Sequence, residues 1–279
     1  MDLRDILRHD PAGTPLSERD PADRPLAPGK KAKTLEAAAA QAGELSELQE
    51  RLFAVATAGD GRRLLVVLQG MDTSGKGGTI KHAIGAMNPQ GVQIASFKKP
   101  TEEERRHHFL WRVRRRVPAP GIVGVFDRSH YEDVLIARVH ELAPAEEIER
   151  RYDEINRFEA RLVDAGVTMV KVFLHLSFAE QRARLLARLE DPTKRWKFNP
   201  ADLDERALWP DYQRAYEIAL QRCSTVAAPW YVVPADRKWY RNWAVGQLVL
   251  ETLRELDPQY PVPDLDLPAL RARLLAEGG

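Results

Sequence analysis

The run Gly70-Met71-Asp72-Thr73-Ser74-Gly75-Lys76-Gly77-Gly78-Thr79 has the spacing G-x-x-x-x-G-K, the pattern of a Walker A loop. Glycines at these places let consecutive backbone N–H groups turn inward as an anion nest, and a following helix adds the positive end of its dipole. Lys76 would reach the outer phosphates of the anion. Gly70, Thr73, Gly75, Gly77, Gly78, Thr79 and, just beyond, Lys81 are therefore the candidate phosphate contacts. One position departs from an ordinary nucleoside triphosphatase. The residue after the lysine normally supplies a hydroxyl to Mg²⁺, and here it is Gly77. A metal would need other hard oxygen ligands, and Asp72, inside the loop, is placed to give one. An acid beside a phosphate nest repels the anion unless a cation lies between them.

A second acid follows the apolar run GIVGVF, which leads into Asp127-Arg128-Ser129-His130-Tyr131-Glu132-Asp133. A carboxylate at the carboxyl end of a buried strand matches a Walker B residue that holds the metal, directly or through water; an N-cap for the following helical segment is the lesser alternative, and both roles could coexist. Arg128 could neutralise charge developing on a transferred phosphoryl group, or simply pair with a neighbouring acid. Glu132 reads as a further acid of the site or as a surface carboxylate.

Cations recur where an extended anion could use them. Lys98 and Lys99 follow a second apolar run, and Arg105, Arg112 and Arg116 share one face if 101–117 is a helix. Arg184 and Arg188 stand one turn apart on another. Any one of these groups could be a solvated surface instead. Residues 188–212 interrupt a helix at Pro192 and combine Lys194, Arg195, Trp196 and Lys197 with Asp202. Such a basic, aromatic segment reads as a lid that closes over phosphates and excludes water. Trp196 would stack on a base or anchor the lid. The histidines lack the spacing of a metal motif, and Ser74 and Ser129 have no nucleophile-elbow context, so serine- and zinc-type catalysis drop out.

The elements needed to position these residues are legible. RLLVVLQ (63–69), GVQIASF (91–97), GIVGVF (121–126), VTMVKVFLHL (167–176) and WYVVPA (230–235) are short apolar runs of the kind buried on both faces of a sheet. Between and around them, 35–58, 101–117, 144–165, 177–189 and 238–256 have helical spacing. Thr101 with Glu104 and Ser177 with Glu180 make capping boxes. Strands separated by helices imply right-handed crossovers and a parallel sheet, with ligands at its carboxyl edge. Residues 10–34, rich in proline and lysine, predict an extended arm over 1–34 rather than a packed element. A surface wrap and a basic arm that touches an anionic ligand are both open. Residues 258–279 predict a surface extension after a domain spanning 35–257.

Composition sets the outer bounds. The 279 residues carry 42 Lys+Arg against 41 Asp+Glu and one cysteine, Cys223. Near-zero net charge argues against wholesale coating of nucleic acid, and one cysteine excludes a disulfide framework. No apolar run is long enough for a membrane span and the first residues lack a signal-like apolar stretch, so the expectation is a soluble, cytoplasmic protein.

Three stretches, GMDTSGKGG, FDRSHYEDV and DPTKRWKFNPADL through APWYVVPADRKWYRN, resemble the polyphosphate kinase 2 family, in consistent order from about residue 35 to 256. The resemblance implies a three-layer P-loop kinase fold, a parallel five-stranded sheet flanked by helices with a helical lid. It also implies reversible phosphate transfer between inorganic polyphosphate and nucleotides, with Mg²⁺ or Mn²⁺. Matched residue by residue, it implies phosphate binding by Gly70, Gly75, Lys76, Gly77 and Gly78. Asp72 and Asp127 become metal carboxylates and Arg128 a stabiliser of charge, while Arg188, Lys194, Trp196, Lys197 and Asp202 belong to the lid. SFKKPTEEE and FDRSHYEDV look most like the branch that accepts both AMP and ADP and yields ATP, with guanine nucleotides a further option. Homodimers or homotetramers are implied as well. Two rivals stay open: a nucleoside monophosphate kinase using ATP, which Gly77 disfavours, and a non-catalytic phosphate sensor, which would not need paired acids and a lid arginine.

Overall fold

The computed structural model describes residues 2–277. In chain order its elements are α1 (Leu3–Leu7), α2 (Lys31–Ala56), β1 (Arg63–Gln69) and α3 (Lys76–Thr79), the last continuing through a wider turn at Ile80–Ile84. Then come β2 (Val92–Ser96), α4 (Glu102–Arg105), α5 (Trp111–Arg114), β3 (Val123–Asp127), α6 (Ile136–Val139), α7 (Ala145–Asp164) and β4 (Val167–His175). The chain finishes with α8 (Phe178–Glu190), α9 (Ala201–Ala207), α10 (Trp209–Cys223), β5 (Trp230–Pro234), α11 (Lys238–Leu256) and α12 (Leu267–Ala276).

All five strands pair in parallel, in the order β2-β3-β1-β4-β5. Strand β1, buried along almost all its length, lies in the middle, and alternate residues face two separate cores. Leu65 and Val67 pack with Tyr152, Ile155 and Phe158 of α7 and Ala215 and Ala219 of α10. Leu64, Val66 and Leu68 pack on the other side with Leu45, Leu48 and Leu52 of α2 and Val245, Leu248 and Val249 of α11. The result is a three-layer α/β sandwich, as the alternation of runs predicts. The chain leaves β1 toward β2 on one side and returns to β4 on the other. The switch point that this creates opens at the carboxyl ends of β1 and β3, where such sheets bind ligands.

Two expectations need correction. The segment 101–117 is not one helix. After the Thr101–Glu104 capping box, α4 ends at Arg105, and the chain turns through His107–Leu110 before α5 begins. The His108 ring pairs with Glu154 at 2.8 Å and accepts the Leu110 N–H, which holds this break open. Arg105 and Arg116 are exposed while Arg112 is buried, so the shared cationic face does not form. The N-terminal arm is a wrap with packed anchors rather than an unpacked extension. Leu3, Leu7 and Leu16 are buried. Arg8 bridges Tyr231 of β5, and the His9 N–H donates to the Trp230 carbonyl at 2.7 Å. The first N–H groups of α1 donate to the Glu251 carboxylate of α11, a charge that suits a helix N-terminus.

By contrast α12 in the C-terminal extension has no buried residue. No described helix is long and apolar enough to cross a membrane.

Candidate active site

The phosphate loop leaves β1 through backbone that only a few residues tolerate. Gly70 has φ +151°, Thr73 +64° and Gly75 +106°. A Cβ on Gly75 would lie 1.8 Å from Nη1 of Arg241, so this glycine is required twice, by conformation and by space. Gly77 differs: a Cβ there would meet nothing within 4 Å. The position that normally supplies a hydroxyl is therefore open, with no steric demand for glycine.

Below the loop, two buried guanidiniums hold its carbonyls. Arg184 of α8 donates Nη1 to the Thr73 and Ser74 carbonyls, each at 2.9 Å, and Nη2 to those of Ala235 and Asp236. Arg241 of α11 donates Nη1 to the Ser74 carbonyl at 2.9 Å. Burial, and then the neighbouring Arg184, pull the Arg241 guanidinium down to about 9, still charged at neutral pH. Gln181 adds a bond to the Asp72 carbonyl at 3.0 Å. Turning its carbonyls back onto these donors leaves the loop's N–H groups for an anion. Arg184 thus reaches the loop from behind, not as a surface cation, and Arg241 was invisible to motif reading because its partners are main-chain oxygens far away in sequence.

Above the loop lies a cavity of about 230 Å³ lined by Gly70, Asp72, Arg128, Glu132, Asp202 and Tyr216, among others. Asp72 accepts a 2.8 Å bond from Nη2 of Arg128, so the acids and cation of the two motifs converge as their spacing implies. Arg128 sits at φ +63°, immediately after β3, which turns its side chain back over the loop. Burial works against its charge, but Glu132 and Asp72 more than offset this and hold its pKa up. Lys76 donates to the Gly70 carbonyl at 2.8 Å. Burial lowers the Lys76 pKa, against the pull of Asp72, Asp127 and Glu132. Glu132 faces the same pocket and its carboxyl is pushed up by burial, with Arg128 and Lys76 opposing. With its side-chain amide turned so that its nitrogen faces Glu132, Gln69 bridges the Glu132 carboxylate at 3.0 Å and the Ser129 hydroxyl at 3.1 Å.

Residues of the 188–212 segment form the far side. Arg188, in the last turn of α8, lies 3.5 Å from Asp202 and donates to the Lys197 carbonyl at 3.2 Å. The Asp202 carboxyl is pushed up by burial and by Asp72 across the cavity. Lys194 pairs with Asp191, and Trp196 is 78% exposed with Lys197 over its ring. Glu205, Tyr212 and Tyr216 complete the wall, three residues that sequence reading missed. A carboxylate and two phenols carry no motif of their own.

The remaining candidates lie elsewhere. Thr79 is fully buried, and Lys81, Lys98 and Lys99 are exposed outside the cavity lining. Arg112 is committed to the protein interior: it donates to the Lys98 carbonyl at 2.8 Å, lies 3.6 Å from Asp133 and stacks over Phe97.

Among the described residues no three His, Cys, Asp or Glu side chains form a cage for a metal ion. The donors present nevertheless suit a hard cation. Asp72 and Asp127 both act on Lys76, and the open Gly77 position leaves room beside the loop. A magnesium-type ion is usually held by one or two carboxylates and completed by substrate phosphates, and this set fits that pattern.

A family model for polyphosphate kinase 2 matches residues 29–261. The chain belongs to the polyphosphate kinase 2 family. It is thus an enzyme, a polyphosphate-dependent phosphotransferase, on a P-loop kinase fold. Among its relatives, the AMP/ADP-polyphosphate phosphotransferase of Meiothermus ruber is 48% identical over 89% of this chain and 92% of its own length. The ADP-polyphosphate phosphotransferase of Rhodopseudomonas palustris is 43% identical over 84% of this chain and 83% of its own. The crystal structure of polyphosphate kinase 2 from Arthrobacter aurescens has 52% identity and a TM-score of 0.96, covering 100% of this chain and 98% of that one.

Proposed function

We propose that this polyphosphate kinase 2 member transfers the terminal phosphate of inorganic polyphosphate to AMP and to ADP, reversibly, with Mg²⁺ held by Asp72 and Asp127. Mn²⁺ would serve the same oxygen ligands. The observation that carries the reading is the convergence of Asp72, Arg128 and Glu132 on one small cavity at the switch point of the sheet, with Lys76 beside it on the Gly70 carbonyl. The Meiothermus relative, named for both acceptors, supports the choice of AMP and ADP.

Each group has a task in that reaction. The loop N–H groups and Lys76 bind non-bridging oxygens of the donor, and binding moves the Lys76 ammonium from the Gly70 carbonyl to a phosphate. Arg128 leaves Asp72 to meet charge that spreads over the transferred group. Metal bound at Asp72 and Asp127 would supply further charge neutralisation between donor and acceptor phosphates. No strong base is needed, since the attacking oxygen of a nucleotide phosphate is already ionised at neutral pH. That agrees with a cavity lined by acids and phenols and lacking a free histidine. Arg188 and Asp202 hold the lid over the phosphates, and their closure keeps water from competing as acceptor. Lys194, Lys197 and Trp196, exposed on the lid, are placed to meet the polyanion or the base as it closes.

Purified protein incubated with long-chain polyphosphate, Mg²⁺ and either AMP or ADP, without ATP, tests this by chromatography of products. ADP and then ATP from AMP are expected. Product only when ATP is the donor would favour the nucleoside monophosphate kinase. A cytoplasmic location and a dimeric or tetrameric state complete the proposal.

A further inference from the structure

Between Arg128 and Glu132, which face the cavity, the chain dips inward. His130 and Tyr131 are fully buried and lead to polar groups that phosphate transfer does not use. At their centre is Lys171 of β4, also fully buried. Its ammonium donates to Glu159 Oε2 at 2.5 Å, to the Tyr131 hydroxyl at 2.8 Å and to the Cys223 carbonyl at 2.7 Å. Those three bonds use every proton it has. The other carboxylate oxygen of Glu159 accepts from the Tyr131 hydroxyl at 2.8 Å and pairs with His130 Nε2 at 3.1 Å. The rings of Tyr131 and Trp230 lie 5.3 Å and 5.1 Å from the ammonium.

Burying an ion pair costs several kcal/mol per ion in desolvation, and a well-packed apolar set of the same volume is often as stable or more so. Stability alone therefore does not explain Lys171 and Glu159. Their geometry does something an apolar cluster cannot: directional bonds fix four elements to one point. Those elements are β4, α7, the 128–132 segment, and the end of α10. The first turns of α10 carry Tyr212 and Tyr216 into the cavity wall opposite Arg128.

We propose that the buried Lys171–Glu159 pair is a positioning device. It sets the aim of Arg128 and Glu132 over the phosphate loop and their separation from the helix that returns from the lid. The proposal rests on the cavity being the phosphotransfer site. Neither residue touches substrate; both act through Tyr131, His130 and the Cys223 carbonyl.

The test replaces the charged pair and the hydroxyl that bridges it, Lys171→Met with Glu159→Leu and Tyr131→Phe, and compares it with wild type and with Tyr131→Phe alone. Expected for the triple variant is a folded protein whose Tm falls by several degrees, because the buried His130 ring and the Cys223 carbonyl lose their partners. Its kcat, measured well below that Tm, falls by about tenfold or more, as small misplacement of catalytic groups does, with KM for polyphosphate and nucleotide little changed. Amide hydrogen exchange over 128–132 should quicken while β1 and β4 stay protected. Unchanged kcat together with unchanged exchange in a folded triple variant would overturn the proposal. Should the triple variant fail to fold, Tyr131→Phe decides: reduced kcat at unchanged KM with faster exchange over 128–132 supports the device, and wild-type values for both sink it. Wild-type protein that makes no product from polyphosphate would remove the functional reading; the exchange experiment would then judge the positioning role by itself.

Discussion

Asp72 and Asp127 share a neighbour in Lys76 but differ in their company: Asp72 is bonded to Arg128, while Asp127 ends β3. Asp72→Asn and Asp127→Asn are each expected to lower turnover by orders of magnitude while the Tm stays close to wild type. Steady-state rates with polyphosphate and ADP check this, and near-wild-type turnover in either variant would take that residue out of the metal site. Glu132 makes a different prediction. Burial raises its carboxyl in the folded state, so the native protein holds an unfavourable charge once the pH exceeds that raised value. Below the ordinary value of about 4.3 the carboxyl is protonated in both states and the cost disappears. Glu132→Gln should therefore raise the Tm at neutral pH, lose that gain as the pH falls toward 4, and reduce turnover. A Tm that rises equally at both pH values would contradict the assigned cause.

At the scale of elements, the phosphate loop gives a paired prediction because its glycines are not equivalent. Gly75→Ala must place a side chain at φ +106° and into Arg241. The backbone alone costs about 1–2 kcal/mol, and displacing the guanidinium adds the loss of its bond to Ser74. Gly77→Ala meets open space in a helical turn, where alanine is better than glycine by up to about 1 kcal/mol. Thermal melts of the two variants should move in opposite directions, and equal losses would refute the distinction. The strands and this loop were legible because each rests on local signals: a continuous apolar run, bounding glycines, a fixed spacing. The break at 107–110 was not, because the arginine and histidine periodicity looks helical. What ends the helix is Glu154 on α7 and the buried acceptors that draw Arg112 inward. Arg241, Tyr216 and Lys171 were hidden for the same reason. Their roles lie in partners that only the folded chain brings near, such as Ser74 for Arg241 and Cys223 for Lys171.

For the molecule as a whole, the two ends contrast. Leu3, Ile6 and Leu7 have helical spacing, but over a single turn among charged residues it is too short to stand out, yet Leu3 and Leu7 fill the core between β5 and α11, whereas α12 buries nothing. Deletion of residues 2–9 should lower the Tm by several degrees and weaken protection of β5 in hydrogen exchange. Deletion of 262–277, which spares the buried Pro258 and the Tyr260 ring under Arg51, should leave both unchanged. An unaltered melt after the first deletion would mean that the wrap contributes no stability.

The bridge from Arg8 to Tyr231 also bears on how the protein is made. Residues of α1 take their place only against β5, a strand translated long after them. At about 5–20 residues per second, β5 follows α1 by on the order of 10–50 s. For that interval Leu3 and Leu7 have no seat, and β4 cannot yet be flanked on its outer side. The nascent protein must stay open at this edge until α11 is complete, and only then can α1 be captured between β5 and α11.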